Sequence, residues 1–209
     1  RVPLETNYYE AYNRDNVRLV DLNETPIACI TENGVRTTSE DHEFDLIVYA
    51  TGFDAITGAF DKINIEGARG NKLREKWKEG PITFLGLQTH GFPNMMTLAG
   101  PQGASVSSNF PRAIEDAVDW ATACICYLRE HGYQRFEPEK EAEADWLEHV
   151  KAGYDMMLLT KTKSWFTGYN SNVEGHDKLR YQIYLGGAQK YRERLRDVAE
   201  SDYAGISLS

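Results

Sequence analysis

The 209-residue chain lacks several features that would place it in a common functional class. Its three cysteines form no CxxC pair and have no histidine at zinc-ligand spacing, which predicts free thiols in a reducing, cytoplasmic compartment. No apolar run approaches the ~20 residues that span a bilayer. The net charge of −9 argues against nucleic acid or an anionic membrane surface as a partner. The sequence contains no GxGxxG, GxxxxGK[ST] or GxSxG motif, so it holds neither a phosphate-binding loop nor a nucleophile elbow.

The five histidines give no sign of a metal site. They are scattered at positions 42, 90, 131, 149 and 176, and none has a cysteine or carboxylate partner at metal-ligand spacing. We therefore predict that they are surface or loop residues and that the chain holds no metal.

One apolar run ends in a turn of small residues. The run from Phe44 to Tyr49 predicts a buried strand, and it leads into Ala50-Thr51-Gly52-Phe53-Asp54. A strand that ends in such a turn is typical of the crevice where open α/β sheets bind ligands, although an ordinary strand exit has the same pattern. Just before this run, Asn33-Gly34 predicts a β-hairpin.

The second half of the chain predicts three helices and a long loop. A polar loop at 102–108 leads into a helix, whose N-cap is Ser108 or Asn109 and which ends at Gly132. The spacing of its apolar residues predicts a buried stripe at Ile114, Val118, Ala121, Ile125 and Leu128. The start of such a helix can attract an anion, or it can touch nothing. Further helices are predicted at 139–157 and 188–199, and strands at 81–87, 94–98 and 181–185. The loop at 158–180 carries Trp165, which either covers a pocket or packs the loop onto the protein body.

Taken in order, these stretches resemble the C-terminal part of a Baeyer–Villiger monooxygenase of the phenylacetone and cyclohexanone monooxygenase type. The resemblance rests on an ordered set of short stretches over nearly the whole chain. They are Arg1-Val2-Pro3-Leu4, Tyr8-Tyr9, Tyr12 to Val17, Ala50 to Asp54, Glu75-Lys76-Trp77, Thr83 to Leu87, Gly91 to Asn94, Ala99-Gly100-Pro101, Ser108-Asn109, Ile114-Glu115, Ser164 to Gly168, Leu185-Gly186-Gly187 and Tyr191-Arg192.

The resemblance implies an α/β fold with two dinucleotide-binding, Rossmann-like domains, of which this chain holds only parts. Residues 1–52 would be the C-terminal end of the NADP-binding domain with its β-hairpin, and residues 53–209 the C-terminal part of the FAD-binding domain. The second part includes a mobile control loop at about 158–180. Tyr49 to Asp54 would be the hinge between the domains, and the upstream part of the same polypeptide would be the main partner.

The resemblance also implies a reaction. Enzymes of this family use NADPH and FAD to form a peroxyflavin with O₂, and they insert one oxygen atom beside a ketone carbonyl to give an ester or lactone. The protein supplies placement and charge, while the cofactor supplies the difficult chemistry.

Site residues follow from the same resemblance. Arg1 matches the family's catalytic arginine, which stabilises negative charge on the flavin and on the substrate oxygen, so it is expected to act both in catalysis and in cofactor binding. Asn109 and Phe110 match a helix start at the flavin ring. Trp165 matches a control-loop tryptophan at the NADP ribose, and Asn170 lies on the same loop. The expected ketone pocket includes Ser105, Val106 and Ser107. The role of Asp54 in the hinge is not implied.

Several family features are missing from these residues. They include both glycine-rich fingerprints, the signature between them, and the lysine and aspartate partners of the arginine. This chain alone is therefore expected to be inactive, as a part of a longer protein. Two alternatives remain: an N- or S-oxidising flavin monooxygenase, which shares the hinge motif, and a non-catalytic binding module.

Overall fold

The computed structural model describes residues 4–104 and 109–209. The chain divides into two units, Arg1–Gly52 and Phe53–Ser209, and each is described by itself. Their assignment to an NADP-binding and an FAD-binding domain remains a prediction. Across both described ranges, we find no helix that combines the length and the apolar character needed to cross a membrane.

The first unit contains a four-residue helix and a three-stranded antiparallel sheet in the order β1-β2-β3. These elements are α1 (Tyr8–Ala11), β1 (Ile27–Thr31), β2 (Gly34–Thr37) and β3 (Asp41–Glu43). Strands β1 and β2 form a hairpin at the Asn-Gly turn, with Ile30 opposite Val35. Space requires a glycine at position 34, since a Cβ there would lie 1.9 Å from the carbonyl oxygen of His42.

The run from Phe44 to Tyr49 is not a strand, so this prediction was wrong. It has no regular secondary structure, and the side chains of Leu46 and Val48 are 78% and 77% exposed. A strand is formed by hydrogen bonds to a neighbouring strand. Within the described ranges, the only backbone hydrogen bond of this run joins the Phe44 N–H to the carbonyl oxygen of Asn33, at 3.0 Å. The run therefore has strand-like composition without a partner.

The second unit is built on three long helices and a small two-stranded antiparallel sheet. Its elements are α2 (Gly58–Asp61), α3 (Leu73–Lys76), α4 (Phe110–His131), β4 (Phe136–Pro138), α5 (Lys140–Asp155), α6 (Ala188–Glu200) and β5 (Ile206–Leu208), with 3₁₀ turns at Ala68–Gly70, Leu158–Lys161 and Trp165–Thr167. Helices α4, α5 and α6 lie where the sequence predicts them. They share one hydrophobic core, in which the indole N–H of Trp120 on α4 donates to the carbonyl oxygen of Leu195 on α6 at 3.0 Å.

The buried face of α4 differs from the predicted stripe. Ala121 and Leu128 are buried as expected, but Val118 and Ile125 are 39% and 49% exposed. The buried face carries instead mainly small residues and one aromatic residue: Ala113, Ala117, Trp120, Ala121, Cys124 and Leu128. Small residues let α4 approach its neighbours closely, which a simple count of apolar spacing does not register.

The segments predicted as strands at 81–87, 94–98 and 181–185 form no ladder, although they are mostly buried or partly buried, with Asn94 and Leu98 exposed. The fully buried side chain of Gln102 bonds two of them instead. Its amide nitrogen donates to the carbonyl oxygens of Pro81 and Tyr181, and its amide oxygen accepts hydrogen bonds from the N–H and hydroxyl of Thr83. One glutamine thus satisfies buried backbone groups that a strand would otherwise pair.

Candidate functional site

The start of α4 is one of the two predicted cofactor contacts that the structure describes. Asn109 is the N-cap, and its side-chain oxygen accepts a hydrogen bond from the Arg112 N–H at 3.3 Å. Phe110 is 49% exposed, and its N–H bonds to no described residue. The first turn contains no acidic side chain. This helix end therefore keeps its partial positive charge for an external group.

Trp165 lies in a 3₁₀ turn of the loop at 158–180. Ser164 and Thr167 form a capping box around this turn, which fixes the backbone beneath the indole. The side chain of Trp165 is 47% exposed and packs against Phe166, with ring centroids 4.1 Å apart. Its indole N–H has no acceptor in the described part of the chain. The ring is thus held on a structured turn, with one edge available to a ligand.

Asn170 follows five residues later and is engaged inside the protein. Its side-chain oxygen accepts from the Asn172 N–H at 3.1 Å, and its amide nitrogen donates to Asp54 Oδ1 at 3.4 Å. Its predicted contact with a cofactor stays a prediction. Arg1, Ser105, Val106 and Ser107 lie outside the described residues.

Asp54 lies in a buried polar cluster that the sequence does not reveal. We name this group, Asp54 with Asn170, His176 and Arg180, the Asp54 cluster. His176 lies in a loop, as predicted, but it is buried there with 5% of its surface exposed, and Arg180 is 1% exposed. The carboxylate of Asp54 accepts from Asn170 and lies 3.2 Å from Nδ1 of His176. The residues that meet here are 116 and 122 positions apart in sequence, so no local pattern could bring them together.

Arg180 carries the main charge of the Asp54 cluster. Its guanidinium donates to the carbonyl oxygen of Trp77 at 2.9 Å, to the hydroxyl of Thr57 at 3.3 Å and to Nε2 of His176 at 2.7 Å. Burial lowers the pKa of Arg180, while Asp61 and Asp54 act in the opposite direction. Burial raises the pKa of Asp61, whereas the positive charge of the Arg180 guanidinium lowers it.

Three members of this region could in principle hold a cation. Asp54, Asp61 and His176 each place one ligand atom within 4.8 Å of the others. His176, one of these three possible ligands, already contacts the positively charged guanidinium of Arg180. Two cations at contact distance repel strongly in a buried site. The two carboxylates therefore serve better as counter-charges for Arg180 than as metal ligands.

A separate cleft of about 580 Å³ lies between α5 and α6. It is lined by Trp146 and His149 from α5 and by Arg194 from α6. Burial lowers the pKa of His149, and the charges of Arg194 and Lys190 add to that effect. The predicted site residues that the structure describes do not line this cleft.

Comparison with known proteins gives relatives along the whole chain, although no family model matches it. A Baeyer–Villiger monooxygenase of Pseudooceanicola batsensis is 40% identical over 96% of this chain and 36% of its own length. The acetone monooxygenase (methyl acetate-forming) of a Gordonia strain is 41% identical over 100% of this chain and 39% of its own. A phenazine N-monooxygenase of Lysobacter antibioticus is 40% identical over 99% of this chain and 38% of its own.

A solved structure agrees with these relatives. The complex of OTEMO with FAD and NADP is 41% identical, has a TM-score of 0.92, and matches 100% of this chain and 38% of its own. This agreement confirms the predicted fold class. The chain spans less than two fifths of the length of the relatives reported above.

Proposed function

Since this chain corresponds to the C-terminal part of the Baeyer–Villiger monooxygenases, we propose that it forms part of an NADPH- and FAD-dependent ketone monooxygenase. The intact enzyme would insert one oxygen atom of O₂ beside a ketone carbonyl and release an ester or lactone. The observation that carries this proposal is the similarity over the whole chain to an enzyme whose name states the conversion of acetone to methyl acetate.

FAD would supply the activation of O₂ after its reduction by NADPH. The start of α4 suits such a group, because the helix dipole favours negative charge and the Phe110 N–H has no acceptor among the described residues. Asn109 holds this helix start in shape by capping the Arg112 N–H. These two residues would bind and orient the cofactor.

The nicotinamide cofactor would meet the loop at 158–180. Trp165 presents an indole N–H and a half-exposed ring, which suit hydrogen bonding to a ribose and stacking. Arg1 would place a permanent positive charge at the oxygen that becomes negative in the reaction. Ser105, Val106 and Ser107 would line the ketone pocket.

The upstream part of the same polypeptide would complete the enzyme. The partial coverage of the relatives supports this proposal, as do the exposed side chains of Leu46 and Val48. We place the protein in the cytoplasm, since Cys29, Cys124 and Cys126 are free thiols.

The function is tested on the intact purified protein. We expect visible flavin absorbance, NADPH oxidation stimulated by acetone or cyclohexanone, and an ester or lactone product detected by gas chromatography. A flavin-free protein, or NADPH oxidation that no ketone stimulates, would contradict the proposal.

A second candidate function is N-oxidation. It is favoured by the 40% identity to the phenazine N-monooxygenase. Phenazine as substrate separates the two chemistries, because oxygen transfer to nitrogen gives an N-oxide and consumes no ketone. A non-catalytic binding module, the third alternative, predicts neither product and no NADPH consumption.

A further inference from the structure

Asp54 is the last residue of the predicted hinge, and it makes two contacts with residues more than 100 positions later in the chain. Its carboxylate accepts from the Asn170 amide, and it faces the ring nitrogen Nδ1 of His176. Both residues belong to the loop at 158–180, whereas Asp54 belongs to the segment that precedes α2. One carboxylate therefore joins two segments that are distant in sequence.

The contacts of His176 favour one arrangement of its two ring nitrogens. Arg180 can only donate, and its Nη1 lies 2.7 Å from Nε2 and 3.2 Å from Nδ1 of His176, so the shorter contact makes Nε2 the better acceptor. A neutral ring that accepts at Nε2 carries its proton on Nδ1, from which it donates to Asp54. The result is a directed chain from Arg180 through His176 to Asp54.

The end of this chain at Arg180 is fixed to the body of the unit. The guanidinium donates to the Trp77 carbonyl oxygen, next to α3. The Arg180 N–H donates to the Thr167 carbonyl oxygen at 2.8 Å, which closes the loop upon itself. Gly168 adopts φ +72° there, and a Cβ would lie 2.6 Å from Cβ of Arg180. No larger residue fits between the turn of Trp165 and the arginine.

The turn of Trp165 and Asp54 lie at one small cleft. Both line this cleft with Phe53, Ala55, Gly168, Tyr169 and Asn170. A shift of Asp54 would therefore change the support of the loop beside the indole. A charged hydrogen bond inside a protein contributes more than a neutral one, so this link is strong enough to hold a surface loop.

We propose that Asp54 is a positioning residue, which through His176 and Arg180 holds the loop at 158–180 and its Trp165 in place for the nicotinamide cofactor. The structural part of this proposal, that Asp54 holds the loop, concerns only contacts within the second unit. The other part, that the held loop serves the nicotinamide cofactor, rests on the proposed function.

Limited trypsin digestion of the intact, FAD-loaded protein tests the structural part. Lys161 and Lys163 are exposed cleavage points in the loop, and cleavage there reports how often the loop opens. We expect Asp54→Ala to raise the cleavage rate at these two lysines about tenfold, and Asp54→Asn to raise it less. Asp177→Ala is the matched control, because Asp177 is an exposed carboxylate next to His176 without a hydrogen bond of its side chain in the described ranges. It should change the rate less than twofold.

Coupling tests the proposed chain of contacts. If Asp54 acts through His176, trypsin should cleave the loop of the double variant Asp54→Ala with His176→Asn hardly faster than the loop of Asp54→Ala alone. If the two substitutions raise the cleavage rate independently, so that their effects multiply, the proposed chain of contacts from Arg180 through His176 to Asp54 is wrong. Unchanged cleavage in Asp54→Ala, or a rise spread evenly over the whole second unit, would overturn the positioning role.

Steady-state kinetics test the link to the cofactor. We expect Asp54→Ala to raise the KM for NADPH severalfold and to increase peroxide release, with kcat and FAD content nearly unchanged. Unaltered KM and peroxide release beside faster loop cleavage would overturn the cofactor role alone. If the wild-type protein oxidises no NADPH, the proposed function fails, and the cleavage experiment still decides the structural part.

Discussion

Tyr154 offers a sharp test of how the second unit is held together. Its side chain is fully buried, and its phenol oxygen bonds two segments at once. It donates to the Phe166 carbonyl oxygen at 2.9 Å and accepts from the Ile183 N–H at 3.1 Å. Tyr154→Phe keeps the ring but leaves both buried backbone groups without this partner.

The magnitude follows from the cost of unpaired groups. A lost hydrogen bond costs about 1 kcal/mol net, and a buried group left unpaired costs about 1–3 kcal/mol. We expect the free energy of local opening around Ile183 to fall by about 2–3 kcal/mol. The amide of Ile183 should then exchange roughly 30- to 150-fold faster. Hydrogen exchange of the Ile183 amide in the intact protein measures this opening directly.

Tyr181→Phe is the matched control. It removes the same hydroxyl from a ring that packs edge-on against Tyr154, with centroids 5.2 Å apart. In the described part of the chain that hydroxyl makes no hydrogen bond. Exchange at Ile183 should therefore change little in this control. An equal rate in wild type and Tyr154→Phe would refute the argument.

The same phenol predicts a dependence on pH. Burial raises the pKa of Tyr154 to about 12, above its ordinary value of 10.0. A raised pKa in the folded state means that the stabilisation is complete below pH 10 and is lost as the pH rises through about 12. A shift of about two units corresponds to about 3 kcal/mol. The stability difference between wild type and Tyr154→Phe should therefore shrink between pH 10 and 12 in urea unfolding of the intact protein.

Three further predictions concern the proposed site residues. Arg1→Ala should abolish ester formation while NADPH still reduces the flavin, and stopped-flow absorbance with product analysis measures both; retained ester formation would contradict its catalytic role. Trp165→Ala should raise the KM for NADPH and the release of peroxide, since the indole contact is lost; unchanged values of both would count against that contact. Asn109→Ala should destabilise the start of α4 by about 1 kcal/mol through loss of the N-cap. Exchange at Arg112 should then rise about fivefold, whereas Asn172→Ala, which removes an exposed asparagine side chain outside any helix, should leave that exchange unchanged.

The helices could be predicted from the sequence because their signals are local. Asn109 and Gly132 mark the two ends of α4, and both act within one turn of the helix. The face of α4 could not be predicted in the same way. The helix carries apolar residues on several of its faces, so Ile125 and Cys124 are equally good candidates for burial. Only the packing of the neighbouring helices decides that Cys124 is buried and Ile125 is exposed.

The β1–β2 hairpin has a local signal in its Asn-Gly turn. The other predicted strands and the Asp54 cluster could not be judged from local patterns. Strand pairing depends on a second segment, and for Leu46 and Val48 no such segment exists among the described residues. The burial of His176 depends in the same way on Asp54, a residue 122 positions earlier. The family resemblance identified the hinge motif, but it assigned Asp54 no role, because a motif records residue types and not their partners.

The two units differ in how they can be stabilised. The second unit buries two hydrophobic clusters, one of them around the long helices and the other around Trp77. In the described part of the first unit, only Gly34 and Thr37 are buried, and the hydroxyl of Thr37 bonds the Glu40 carbonyl oxygen within its own turn. A sheet without a covered face gains little from the hydrophobic effect, whatever its hydrogen bonds. The described part of the first unit therefore lacks a hydrophobic core of its own, whereas the second unit owes its order to its two clusters.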